Sequence, residues 1–152
     1  GLLVRHGIPP HRLELEVTES AVMEDAGHAL EQLQRLSSAG IRLAIDDFGT
    51  GYSSLSYLQA LPFDVVKIDR SFIAGCAGDA RQRSLVSTMI KLSHDLGYRV
   101  VAEGIETQDI AGLILGMGCD ESQGYFFGRP MTAKVFQSWY CSNRDRSEVL
   151  AA

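Results

Sequence analysis

The feature that most constrains this chain is a repeated alternation of short apolar runs with amphipathic stretches. Leu13–Val17, Ile41–Asp46, Phe63–Ile68, Arg99–Ala102 and Gln123–Phe127 read as strands. Between and after them lie helical patterns: Ala21–Ala39, with Leu30, Leu33 and Leu36 at helical spacing, and a short Ser53–Ala60 stopped by Pro62. Asp79–Leu96 with Asp79 as N-cap, Thr107–Met117 capped by Thr107, and Thr132–Tyr140 complete the set. Gly40 and Gly97 stand where chains commonly leave a helix. Strands alternating with helices imply parallel pairing through right-handed crossovers. Either an open doubly wound sheet or part of a (β/α)8 barrel fits. No G-x-G-x-x-G or phosphate-loop pattern follows a strand, which weakens the open nucleotide-binding sheet. A complete barrel takes about 250 residues, so five units would form just over half of one.

Side chains alternate faces along a strand. Leu13, Leu15 and Val17 share one face and Glu14 and Glu16 the other; Leu43 and Ile45 oppose Arg42, Ala44 and Asp46. Val66 and Ile68 oppose Val65, Lys67 and Asp69; Val100 and Ala102 oppose Arg99, Val101 and Glu103. Four successive strands thus have an apolar face for helices and a charge of matching parity near the C-terminal end, where barrels place their active sites. Three converging carboxylates repel and raise one another's pKa unless cations intervene. Hard oxygen ligands suit Mg²⁺ or Mn²⁺. Asp46 and Asp47 are able to serve metals together if a turn redirects the second side chain, and Gly49 and Gly51 permit one. Taken singly, each feature has a plainer explanation: a solvated strand-end acid, an ordinary ion-pair lysine, a turn.

The net charge of −5 excludes a basic stripe for a DNA or RNA polymer, though not a small anionic substrate whose charge metals offset. Cys76, Cys119 and Cys141 are widely spaced and odd in number, which reads as reduced thiols and a cytoplasmic setting. The four histidines lack metal-ligand spacing. No apolar run spans a membrane and no signal peptide is visible; without an initiator Met, the chain is expected to start within a longer protein.

Five ordered motifs carry a resemblance. They are Glu14-Leu15-Glu16-Val17-Thr18-Glu19-Ser20, then the loop Asp46-Asp47-Phe48-Gly49-Thr50-Gly51-Tyr52-Ser53-Ser54-Leu55, and Val66-Lys67-Ile68-Asp69. Ala102-Glu103-Gly104-Ile105-Glu106-Thr107 and Gln123-Gly124-Tyr125-Phe126-Phe127-Gly128-Arg129-Pro130 follow. Together they resemble the C-terminal portion of an EAL-domain cyclic-di-GMP phosphodiesterase. The resemblance implies that residues 1–141 supply about the last five strand–helix units of a TIM-like barrel, with 142–152 a tail. It implies hydrolysis of one phosphodiester of cyclic di-GMP to linear pGpG at a two-metal Mg²⁺ or Mn²⁺ site. By the same resemblance Glu16, Asp46, Asp47, Glu103 and Gln123 serve the metals. Lys67 holds the nucleophilic water or a phosphate oxygen, and Glu103 doubles as general base. Glu19 and Glu106 are supporting glutamates, Glu19 holding the Phe48–Leu55 loop that gates metal and substrate and lies near a homodimer contact. A plain alternative for Glu19 is an acid favoured by a helix N-terminus.

Two of the family's ligands, the Glu of its E-A-L strand and a strand Asn, have no counterpart; the chain's one Asn is Asn143. The fragment alone is therefore expected to have little activity, and its sheet edges to be open. The full-length protein could be tethered to a membrane through other domains. Two rivals remain: an inactive EAL-like sensor that binds cyclic di-GMP, and a Schiff-base lyase using Lys67. Acidic neighbours oppose the second by raising the lysine pKa.

Overall fold

The computed structural model describes residues 1–51 and 55–143. A short helix, α1 (Leu2–Arg5), and a 3-10 turn over Pro10–Arg12 lead into β1 (Glu14–Thr18), α2 (Glu19–Glu24) and α3 (Ala26–Ser38). Then come β2 (Arg42–Phe48), α4 (Leu55–Ala60), β3 (Val65–Ile68), α5 (Arg70–Ile73) and α6 (Ala80–Asp95). The chain continues through β4 (Arg99–Ala102), α7 (Gln108–Gly116), β5 (Glu121–Ser122) and α8 (Ala133–Asn143).

All strand pairs are parallel and the sheet order is β1-β2-β3-β4-β5. Strands laid down in chain order never reverse direction across the sheet, as a doubly wound sheet must. This is the winding of a barrel segment, with β1 and β5 as its open edges. Leu43, Ile45, Val66, Ile68, Val100 and Ala102 are buried on the helix-covered face, as the alternation requires. Helix α6 lays Val86, Met89, Ile90 and Ser93 against that face, the i, i+3, i+4, i+7 stripe of an amphipathic helix. Helix α7 contributes Ile110 and Ile114.

The caps fall as expected. Asp79 accepts the Arg81 N–H at 2.8 Å, Thr107 accepts the Ile110 N–H at 3.3 Å, and Gly40 and Gly97 follow their helices at φ +81° and +86°. Several boundaries differ. The single helix expected over Ala21–Ala39 is two, because Asp25 adopts an extended φ of −146° and turns its side chain to cap the His28 N–H at 3.2 Å. The fifth strand ends before Gln123. The Gln123 N–H still bonds the Ala102 carbonyl at 2.9 Å, but Phe126 and Phe127 then turn back onto Ile105 and Gly124. The last helix, expected over Thr132–Tyr140, runs over Ala133–Asn143. Ser53 and Ser54 lie outside the described residues, and α4 begins at Leu55. Among the described residues all three cysteines are free, and no helix is long and apolar enough to cross a membrane.

Candidate metal centre

Parallel register sets the heights of the charged side chains. Thr18 pairs with Asp46, Ala44 with Val65, and Lys67 with Val101. Between Ile45 and Phe48 the β2–β3 register slips, so that three steps on β2 match two on β3. The extra residue forms a β-bulge. Asp47 lies within it, and at φ +54° it is the sole non-glycine with positive φ among the described residues. Asp is one of the few side chains that tolerate this conformation. The bulge aims two consecutive carboxylates at one centre, which a regular strand would send to opposite faces. The redirection expected of the glycines after the pair thus occurs within the strand itself.

Carboxylate oxygens of Asp46, Asp47 and Glu103 lie within 4.8 Å of one another. Lys67 stands beside them, its side chain only 6% exposed, with Nζ 2.7 Å from Glu16, 2.7 Å from Glu103 and 3.3 Å from Asp46. Burial works against the ammonium, but hydrogen bonds to Glu103 and Glu16 and the charges of Glu103 and Asp46 outweigh it and hold its pKa above the usual lysine range. Such a lysine stays protonated and is a poor Schiff-base nucleophile. Asp47 is raised, by desolvation first and then by Asp46 and Asp69, with Lys67 opposing.

One atom of the cluster is short of a donor. Oδ1 of Asp46 is buried and accepts no hydrogen bond; Lys67, 3.3 Å away, lies outside hydrogen-bond geometry. The Lys67 ammonium supplies charge to this oxygen but no hydrogen bond, so one acceptor of a buried anion is left without a donor. A divalent ion fits both this oxygen and the all-carboxylate donor set.

The remaining expected residues fall around this centre. Glu16 reaches it through Lys67 rather than joining the three-carboxylate group. The Gln123 amide donates to Glu103 Oε1 at 2.6 Å and so orients that carboxylate. Glu19, buried at the start of α2, accepts the N–H groups of Gly49 at 2.9 Å and Gly51 at 3.3 Å. It therefore clasps the loop after β2. Phe48 is buried, and Thr50 Oγ1 donates to the Asp47 carbonyl at 2.8 Å. Tyr52, Ser53 and Ser54 of that loop lie outside the described residues, and Leu55 opens α4. Glu106 is exposed and lines a groove of about 840 Å³ that begins at Glu103 and Gln123.

That groove brings in residues the strand pattern did not single out: Arg70, Tyr125, Arg129, Phe136 and Trp139. The Arg129 guanidinium lies 4.4 Å from the Tyr125 ring centroid, and Phe136 stacks with Trp139 at 6.0 Å.

The EAL domain family model matches residues 1–130. The chain belongs to the EAL-domain family, of which it carries a portion. It is 46% identical over 132 residues to MucR of Pseudomonas aeruginosa, named a bifunctional diguanylate cyclase/cyclic di-GMP phosphodiesterase. That match covers 87% of this chain and 19% of MucR. It is 43% identical over 141 residues to the same organism's cyclic di-GMP phosphodiesterase NbdA, covering 90% of this chain and 18% of that protein. The chain thus spans about a fifth of the length of these relatives. The MucR phosphodiesterase in complex with c-di-GMP superposes with a TM-score of 0.84 at 46% identity, over 88% of this chain and 54% of that one. The manganese/cy-diGMP complex of BlrP1 from Klebsiella pneumoniae gives 0.78 at 35% identity, over 84% and 33%. The five parallel strands alternating with helices accordingly match EAL TIM-barrel structures.

Proposed function

We propose that the EAL domain to which this chain contributes hydrolyses cyclic di-GMP to linear pGpG with Mg²⁺ or Mn²⁺. The observation that carries this reading is the convergence of Asp46, Asp47 and Glu103, with a buried Asp46 oxygen that has no hydrogen-bond donor. The names of the relatives supply the substrate class.

Asp46, Asp47 and Glu103 would hold the cations, and Glu16 would join them once Lys67 is drawn toward substrate. A pair of divalent ions supplies an activated water and charge neutralisation at the phosphate. Lys67 keeps its proton and offers a fixed positive charge to an anionic phosphate oxygen, preorganised by the acids around it. Gln123 holds Glu103 in the orientation needed to take a proton from water. Glu19 keeps the loop after β2 in place beside the metal ligands, and that loop is also our candidate for a homodimer contact.

The test is turnover of cyclic di-GMP by the complete domain with Mg²⁺ or Mn²⁺, following pGpG by chromatography. Metal-dependent product is expected, and little from the 152-residue chain alone. Tight binding of cyclic di-GMP without product would assign a sensor instead. Metal binding with neither product nor ligand binding would refute both.

A further inference from the structure

Helix α5 has only four residues and carries none of the expected site residues, yet it touches the loops on both sides of Lys67. Gly49 lies two residues after Asp47 and adopts φ +95°; a methyl group there would fall 2.7 Å from Met89 Cε and 2.9 Å from Phe72 Cε2. Gly104 directly follows Glu103 and adopts φ +72°; a methyl group there would fall 2.4 Å from Arg70 Cβ. One face of the little helix thus abuts the loop leaving the Asp46–Asp47 bulge, and the other abuts the loop leaving Glu103.

The helix is itself pinned. Asp69 caps it by accepting the Ser71 N–H at 3.0 Å, and Ile73 is fully buried. From α6, the Gln82 amide donates to the Phe72 carbonyl at 3.0 Å, and Arg83 donates to the Cys76 carbonyl at 2.9 Å. On the far side of Gly49, Glu19 accepts that residue's N–H at 2.9 Å. Gly49 is therefore held between a carboxylate and the Phe72–Met89 pair, with no room for a side chain. Close-packed contacts of this kind transmit displacement rather than absorb it.

We propose that α5 is a spacer between the two ligand-bearing strand ends, and that Phe72 is a positioning residue for the metal centre. The ring fixes where the Asp46–Asp47 bulge stands relative to Glu103, without touching metal or substrate itself. The Arg70 side of the spacer acts through its Cβ, so Arg70→Ala keeps that contact. This rests on the functional reading above.

The experiment is titration calorimetry of the complete domain with Mn²⁺ alone, beside thermal melting without metal. Phe72→Ala is expected to weaken Mn²⁺ binding about tenfold, the scale seen when the supports of ligand side chains are removed. Excess Mn²⁺ should restore its kcat, with KM for cyclic di-GMP unchanged. Phe72→Leu, which keeps much of the bulk, should weaken Mn²⁺ binding less and serves in its place if the Ala variant does not fold. Ile114→Val, a core change on α7, should lower the melting temperature and leave Mn²⁺ affinity alone. Wild-type Mn²⁺ affinity in a folded Phe72 variant would overturn the spacer and leave the functional reading intact. A wild-type domain that binds no Mn²⁺ would sink both.

Discussion

The two ends of the sheet use the same residue types to opposite effect. At the N-terminal end four acids are matched. Asp64 accepts the Leu43 N–H at 2.8 Å, and Asp120 accepts the Val100 N–H at 2.7 Å while meeting His94 at 2.8 Å. Arg42 pairs with Glu14 at 3.3 Å and Arg99 with Glu121 at 2.7 Å. At the C-terminal end four carboxylates crowd around one ammonium and an Asp46 oxygen is left over. Hydrogen bonds to Asp120 outweigh its burial and lower its pKa, whereas Asp47 is raised. One end is settled by the protein's own donors; the other keeps a surplus of carboxylates over donors. That asymmetry is what a barrel with its chemistry at the C-terminal rim requires.

The comparison breaks most readily at the rim acids. Asp46→Asn should reduce turnover of the complete domain by more than the roughly 10–100-fold typical of losing a ligand's support. It should change the metal-free melting temperature little, because it removes repulsion from Asp47 and Glu103 together with the 3.3 Å pairing to Lys67, which keeps Glu16 and Glu103. A large fall in stability would make Asp46 a structural acid like those at the other end. Lys67→Met should do the reverse in the absence of metal. Removing one partner of a buried ion pair costs about 3–5 kcal/mol, and added Mn²⁺ should return part of it. Denaturant unfolding with and without Mn²⁺ measures both quantities.

At the opposite end, Asp120→Ala should cost about 1–3 kcal/mol, the penalty for leaving the Val100 N–H unmatched, with Mn²⁺ affinity and turnover unchanged. An effect on Mn²⁺ affinity would erase the distinction between the ends. The smallest effect is in pH. The Asp120 carboxylate is lowered in the fold, so its stabilisation is present above its unfolded value near 3.8 and is lost as pH falls through its folded value. Asp47 is raised, so the folded state holds its proton longer than the unfolded chain does. The metal-free domain should therefore lose stability as pH climbs from about 3.8 through the folded pKa of Asp47. Melting curves across acidic pH, for Asp47→Asn and Asp120→Asn beside wild type, separate the two signs.

Much of this was legible because strand chemistry has a period of two. Glu16, Asp46, Lys67 and Glu103 share one parity, so their convergence follows once the strands are parallel. Glu19 was named through the family's motif, and its two backbone partners emerge only when α2 folds over the loop. The bulge was not legible. Period-two reasoning sends Asp47 to the wrong face, and only the register slip at Ile45–Phe48 brings it back. Nor was α5, whose four residues are too few for a helical period to appear. The fifth strand was placed too late, over Gln123–Phe127 instead of Glu121–Ser122, because Tyr125, Phe126 and Phe127 have strong strand preference, yet Gly124 fits against Ile105 and allows the chain to turn.

The central claim is that the rim acids are gathered to hold divalent cations. Anomalous diffraction from crystals of the complete domain grown with Mn²⁺ tests it directly. The account predicts a manganese peak within coordination distance of Asp46, Asp47 and Glu103, absent in Asp46→Asn crystals. A Mn²⁺-saturated crystal with no peak there, and with Lys67 still seated among the carboxylates, would contradict it.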